Sequence, residues 1–163
     1  MKQTIKFLCF LLLCFVSSGK LRAAEGSGTV SANVVSALSV EESKELSFGT
    51  ILPEAGTVSV DFAGNRTSSG SNLVDDSTNP PSNGEMLIYG PVNQVVHIEN
   101  IQDIVITSSG NSMNVSNFQT NPSGNITLTS LDGTPVKVRA QLTVAADQPE
   151  GDYAGTYTMT VTY

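Results

Sequence analysis

The sequence predicts an all-β protein, a single antiparallel β-sandwich, and three observations predict it. Short runs of alternating apolar and polar residues recur along the chain, punctuated by Gly, Asn, Ser and Pro. No stretch combines helical spacing with good helix formers, and Ser, Thr, Asn and Val dominate instead. Once an N-terminal leader is set aside, about 140 residues remain, enough for one domain that buries roughly two-thirds of the surface of its unfolded chain.

The leader comes first along the chain. Lys2 and Lys6 give a basic start, Phe7 to Val16 is an unbroken apolar run, and Ser17 to Ala24 is a small, polar exit, the order of a secretory signal. The apolar run is far shorter than the roughly 20 residues that span a bilayer. Cleavage is expected after Ala23, giving a signal peptide over 1–23 and a sandwich domain over 24–163. Cys9 and Cys14 leave with the leader, so the mature protein has no cysteine. Lys2, Lys6, Lys20 and Arg22 leave too, and four basic residues then face fifteen acidic ones, a formal charge of −11. Such a chain is a poor partner for nucleic acid, and its mature part carries no stable membrane span.

Strand signals then follow in order. Val30 to Val40 alternates, with Val30, Ala32, Val34, Leu38 and Val40 on one face and Ser36 as the polar interruption. Leu46 to Ile51 and Thr57 to Phe62 come next. Gly64 to Gly84, rich in Gly, Ser, Asn and Pro, is expected to be a loop. Met86 to Tyr89 and Val95 to Ile98 flank Gly90-Pro91-Val92-Asn93, a hairpin or a corner. Asp103 to Thr107, Met113 to Phe118 and Ile126 to Thr129 precede the clearest strand, Pro135 to Val144. There Val136, Val138, Ala140, Leu142 and Val144 alternate with Lys137, Arg139, Gln141 and Thr143, one face for the core and one for solvent. Asp147 to Asp152 is a tight connection into a terminal strand, Tyr153 to Tyr163. Nine or ten short strands with this punctuation indicate a sandwich of immunoglobulin-like type.

The first strand carries the functional question. A terminal segment with alternate apolar side chains either completes its own sandwich or enters a groove in a neighbouring subunit and supplies a strand there. Sequence alone leaves both open, because both need the same alternation.

The chain resembles a bacterial secreted family known as domain of unknown function 4402, on the first apolar strand, on Leu46-Ser47-Phe48-Gly49, on Met113 to Phe118, and on Gly151-Asp152-Tyr153-Ala154-Gly155-Thr156-Tyr157 running on to Tyr163. The same ending is similar to those of chaperone-usher pilins and of spore-coat U type subunits. That resemblance implies an immunoglobulin-like sandwich, periplasmic passage, a periplasmic chaperone and assembly into surface fibres. The chain departs from many such pilins in lacking their cysteine pair.

Little in the sequence points to catalysis. His97 is the only histidine and alternates away from Val96 and Ile98, and no G-x-S-x-G elbow is present. One histidine without mature cysteine does not supply the usual zinc ligands. Asp75, Asp76, Asn72, Asn79 and Glu85 put oxygen ligands in or beside the 64–84 loop, but not at EF-hand spacing. Glu41, Glu42 and Glu45 are expected at a solvated corner after the first strand. The expectation is therefore a non-enzymatic, cofactor-free structural or adhesive subunit of the periplasm, cell surface or extracellular space. Val30, Ala32, Val34, Leu38, Val40 and Tyr163 are the candidate strand-complementation residues, and homo-oligomers or fibre subunits the expected partners. The alternative is a self-complete monomeric binding module.

Overall fold

A computed structural model of the chain describes residues 24–34, 36–70 and 73–163; the expected signal peptide lies outside the described residues. Contacts divide the chain into residues 1–33 and residues 34–163. In the first part, residues 24–33 are exposed and carry no strand. The second is a two-sheet antiparallel sandwich without a helix among its described residues.

Among the described residues ten strands are present: β1 Ser39–Lys44, β2 Gly56–Val60, β3 Arg66–Ser68, β4 Gly84–Tyr89, β5 Val95–Ile98, β6 Ile104–Ser108, β7 Asn111–Asn121, β8 Gly124–Thr127, β9 Thr134–Val144 and β10 Val161–Thr162. β9 organises the larger sheet. Its first half pairs with β4 and its second half with β2, while β7 pairs along its length from Lys137 to Thr143. Because β7 overlaps both ranges, β4 and β2 share the opposite edge of β9. β1 extends the sheet beyond β4, β3 beyond β2 and β6 beyond β7. The smaller sheet has the order β10-β5-β8.

The alternation read in β9 holds: Thr134, Val136, Val138, Ala140, Leu142 and Val144 are all buried. Yet that buried face meets two different surroundings. Val136 and Val138 join Met86 and Ile88 of β4 against Val96, Ile98, Ile126, Leu128 and Met159, a cluster closed by the smaller sheet. Ala140, Leu142 and Val144 join Val58, Met113 and Val115 in a second cluster, to which β5, β8 and β10 contribute nothing. Its cover comes from the irregular segment 46–51, from β6, from Phe118 and from Tyr153. The three-stranded sheet thus covers only part of the inner face of the seven-stranded one.

Several boundaries differ from the sequence reading. The first ladder begins at Ser39 and runs through Glu41 and Glu42, where a corner was expected, because β4 offers its edge to 39–44 and not to 30–38. Leu46 to Ile51 is not a strand: its β-pairing is limited to the isolated bridges Ser47↔Ser82 and Ile51↔Leu73. The 64–84 loop contains β3. Gly90 to Asn93 is a corner, since β4 and β5 lie in different sheets. The terminal strand is laddered only at Val161–Thr162, with one bridge at Ala154.

Candidate functional site

The incompletely covered half of the sandwich opens as a groove of about 790 Å3. One wall is β1 with residues 45–51; the other is the C-terminal segment 151–159. The floor is apolar, with Met86, Met113, Val115, Phe118 and Leu142 prominent. The walls run in opposite directions. Met159 shares a cluster with Leu38 and Val40, the Tyr157 hydroxyl lies beside Leu46, and Tyr153 shares a cluster with Phe48 and Ile51.

The C-terminal wall carries the distinctive feature. Its side chains alternate as the sequence predicts, with Tyr153, Tyr157, Met159 and Val161 turned inward and the intervening threonines exposed. Its backbone is another matter. Among the described residues, Ala154 exchanges hydrogen bonds with Thr107 and the Thr160 carbonyl accepts from the Glu99 amide, but no backbone bond joins Gly155 to Met159 to another segment. This is extended chain with free donors and acceptors, on the rim of an apolar groove. Such edges are templates for strand addition unless charge or coverage blunts them. β1 is blunted by Glu41, Glu42 and Lys44, whereas Gly155 to Met159 holds no charged residue.

The opposite wall is held by a side chain. Arg66 of β3 donates from Nη1 to the carbonyls of Phe48 and Thr50, at 2.8 and 2.7 Å, and from Nη2 to that of Val74 at 2.5 Å. Ser47 Oγ accepts from the Gly49 amide, and Gly49 takes φ +66° with Asn79 O and Arg66 Nη1 packed where a Cβ would point. The Thr50 hydroxyl donates to Asp76, whose carboxyl is lowered to about 2 by the hydroxyls of Thr78 and Thr50 and the Thr78 amide.

Tyr157 reaches from the C-terminal wall to the larger sheet. Its ring lies 5.4 Å from that of Phe118, and its hydroxyl sits where a Cβ on Gly84 would be, 2.6 Å away. That hydroxyl is buried and has no hydrogen-bond partner among the described residues. Burial, with the Glu42 carboxylate adding, pushes its pKa up to about 12.

The sequence-predicted residues divide. Leu38 and Val40 pack on the molecule's own core, and Val40 lines the groove. Val30 and Val34 are 98% and 92% exposed, and Ala32 is exposed with them. Tyr163 lies past the groove, half-exposed, and its hydroxyl donates to the Ser36 carbonyl, tying the chain where it enters β1. His97 is on the exposed face of β5, with Nδ1 2.7 Å from Asn125 Oδ1 across the ladder to β8. Among the described residues no group of three or more His, Cys, Asp or Glu is placed to hold a metal, and Asp76 spends its oxygens on Thr50 and Thr78. Sequence reasoning missed Arg66, Phe118 and the Tyr157–Gly84 contact.

Fold and groove together define an all-β sandwich protein with a half-covered core. The family model for the domain of unknown function DUF4402 matches residues 38–163, and the chain belongs to that family. No curated protein and no solved structure matches the chain. No helix among the described residues is long and apolar enough to cross a membrane.

Proposed function

We propose that the protein is a secreted, non-enzymatic structural or adhesive surface subunit of pilin-like type, and that its groove accepts an added β-strand. The observation that carries this reading is the uncharged backbone of Gly155 to Met159, unpaired among the described residues, along an apolar floor that the smaller sheet leaves uncovered. An extended segment laid there satisfies main-chain groups on one side and places alternate side chains on Met86, Val115, Phe118 and Leu142. Because the walls run in opposite directions, the added strand is parallel to one and antiparallel to the other.

The donor is the N-terminal segment of another copy. Residues 26–37 are uncharged, and Val30, Ala32 and Val34 alternate on one face without burial in their own chain. Each buried valine would contribute about 1 to 2 kcal/mol. Leu38 and Val40 take no part as donors, since they already fill the molecule's own core.

The test is the oligomeric state of the purified chain over a rising concentration series, beside Val34→Asp. The parent is expected to form ladders that persist on an unheated denaturing gel, and Val34→Asp, altered at an exposed site, to stay folded and monomeric. A parent that remains monomeric at high concentration, with any cognate chaperone and usher supplied, overturns the reading in favour of a self-complete module.

A further inference from the structure

The two walls of the groove are built differently. The C-terminal wall is a chain segment fixed at both ends by backbone hydrogen bonds, at Ala154 and at Thr160 to Thr162. The 46–51 wall has no ladder. Its β-pairing is limited to two isolated bridges, in the second of which the Thr50 carbonyl accepts from the Val74 amide at 3.4 Å, and the carbonyls of Phe48 and Thr50 both accept shorter bonds from one side chain, that of Arg66. The same guanidinium reaches the Val74 carbonyl, beside the residue that bridges Ile51.

We infer that Arg66 is the positioning residue of the groove: it hangs the 46–51 wall from β3 at the separation an added strand needs. The inference rests on the strand-acceptor reading above. A guanidinium suits this task because it is always charged and presents its donors in a rigid plane, so three carbonyls at fixed angles are met at once. Charge-assisted bonds to carbonyls are also stronger than neutral ones. The Leu46-Ser47-Phe48-Gly49 element is shaped to the clip. Leu46 and Phe48 face the core and groove, while Gly49, left-handed and without a Cβ, lets Arg66 Nη1 and Asn79 O close on the backbone. Without the clip Phe48 and Ile51, both packed on the second core cluster, lose their fixed distance from Tyr153 across the groove.

The experiment uses the Val34→Asp chain as acceptor and a synthetic peptide of residues 26–37 as donor. Peptide affinity is measured for acceptors with Arg66, Arg66→Lys and Arg66→Met, together with amide exchange at 46–51 and across β9. Arg66→Met is expected to weaken the peptide at least about tenfold and to speed exchange at 46–51, while β9 amides stay protected. Arg66→Lys, a single point charge, is expected to lose about threefold. Unchanged affinity in Arg66→Met overturns the inference and leaves the strand-acceptor reading standing. If Arg66→Met fails to fold, the lysine variant decides: faster exchange at 46–51 with unchanged affinity overturns it. No binding to the acceptor that keeps Arg66 overturns the reading itself and the inference with it.

Discussion

Replacing Tyr157 by Phe should stabilise this protein, an unusual direction for a change beside a core. The Tyr157 hydroxyl is buried without a partner among the described residues, and leaving a polar group so costs about 1 to 3 kcal/mol. Tyr157 is only partly buried as a residue, so the low end applies: about 1 kcal/mol gained, or roughly 4 °C in Tm for a domain of this size. The same geometry makes Gly84→Ala costly. A Cβ there stands 2.6 Å from the hydroxyl oxygen, 3.2 Å from Leu46 Cβ and 3.3 Å from Val138 Cβ. Overpacking of this kind costs about 1 to 3 kcal/mol. In the Tyr157→Phe background the nearest atom is gone, and Leu46 Cβ and Val138 Cβ are tight but tolerable neighbours. The alanine should then cost about 1 kcal/mol less, a coupling of ordinary size for residues in contact. Urea denaturation of the parent, both single variants and the double variant measures all three quantities. Tyr157→Phe less stable than the parent by about 1 kcal/mol would show that the hydroxyl has a partner after all. An alanine equally costly in both backgrounds would show that the contact with Gly84 is not as described.

Other predictions bear on the wall and the core. The Asp76 carboxyl sits at about 2 in the folded chain, below its ordinary 3.8, so its contribution to stability is complete above about pH 4 and is lost as pH falls toward 2. Asp76→Asn should therefore flatten the pH dependence of the denaturation midpoint between about pH 5 and 2, leaving what Asp61, also lowered, contributes in the same direction. Gly49→Ala should cost at least about 1 to 2 kcal/mol in a urea titration, for its left-handed φ and for the approach of Asn79 O at 2.9 Å. Leu142→Ala, on the groove floor and 2% exposed, should cost about 2 to 4 kcal/mol by the same method.

What could be read in the sequence and what could not follow one physical division. Burial on a single face leaves a period of two, so the strands from Val136 to Val144 and from Val95 to Ile98 are visible in the chain itself. The same period showed which face of Tyr153 to Tyr163 turns inward. It carries no information on which backbone edge has a partner, and so the unpaired stretch from Gly155 to Met159 was read as ordinary strand. Val30 to Val40 alternates but for Ser36, yet pairing starts at Ser39, because the ladder depends on where β4 lies. Leu46 to Ile51 alternates well enough to pass for a strand, but Gly49 is left-handed and the neighbouring carbonyls go to a side chain 18 and 16 residues on. A contact made by a single arginine across that distance leaves no periodic trace, although Leu46-Ser47-Phe48-Gly49 had marked one end of it.

A strand acceptor of this kind requires that the groove stand open beside an unpaired backbone. Amide exchange at Gly155, Thr156, Tyr157, Thr158 and Met159, followed in dilute Val34→Asp chain before and after addition of the 26–37 peptide, tests it most directly. These amides should exchange fast in the free chain while those of β9 are protected, and should slow by at least about tenfold when peptide binds. Amides already as protected as β9 in the free chain, or left unchanged by saturating peptide, would contradict it.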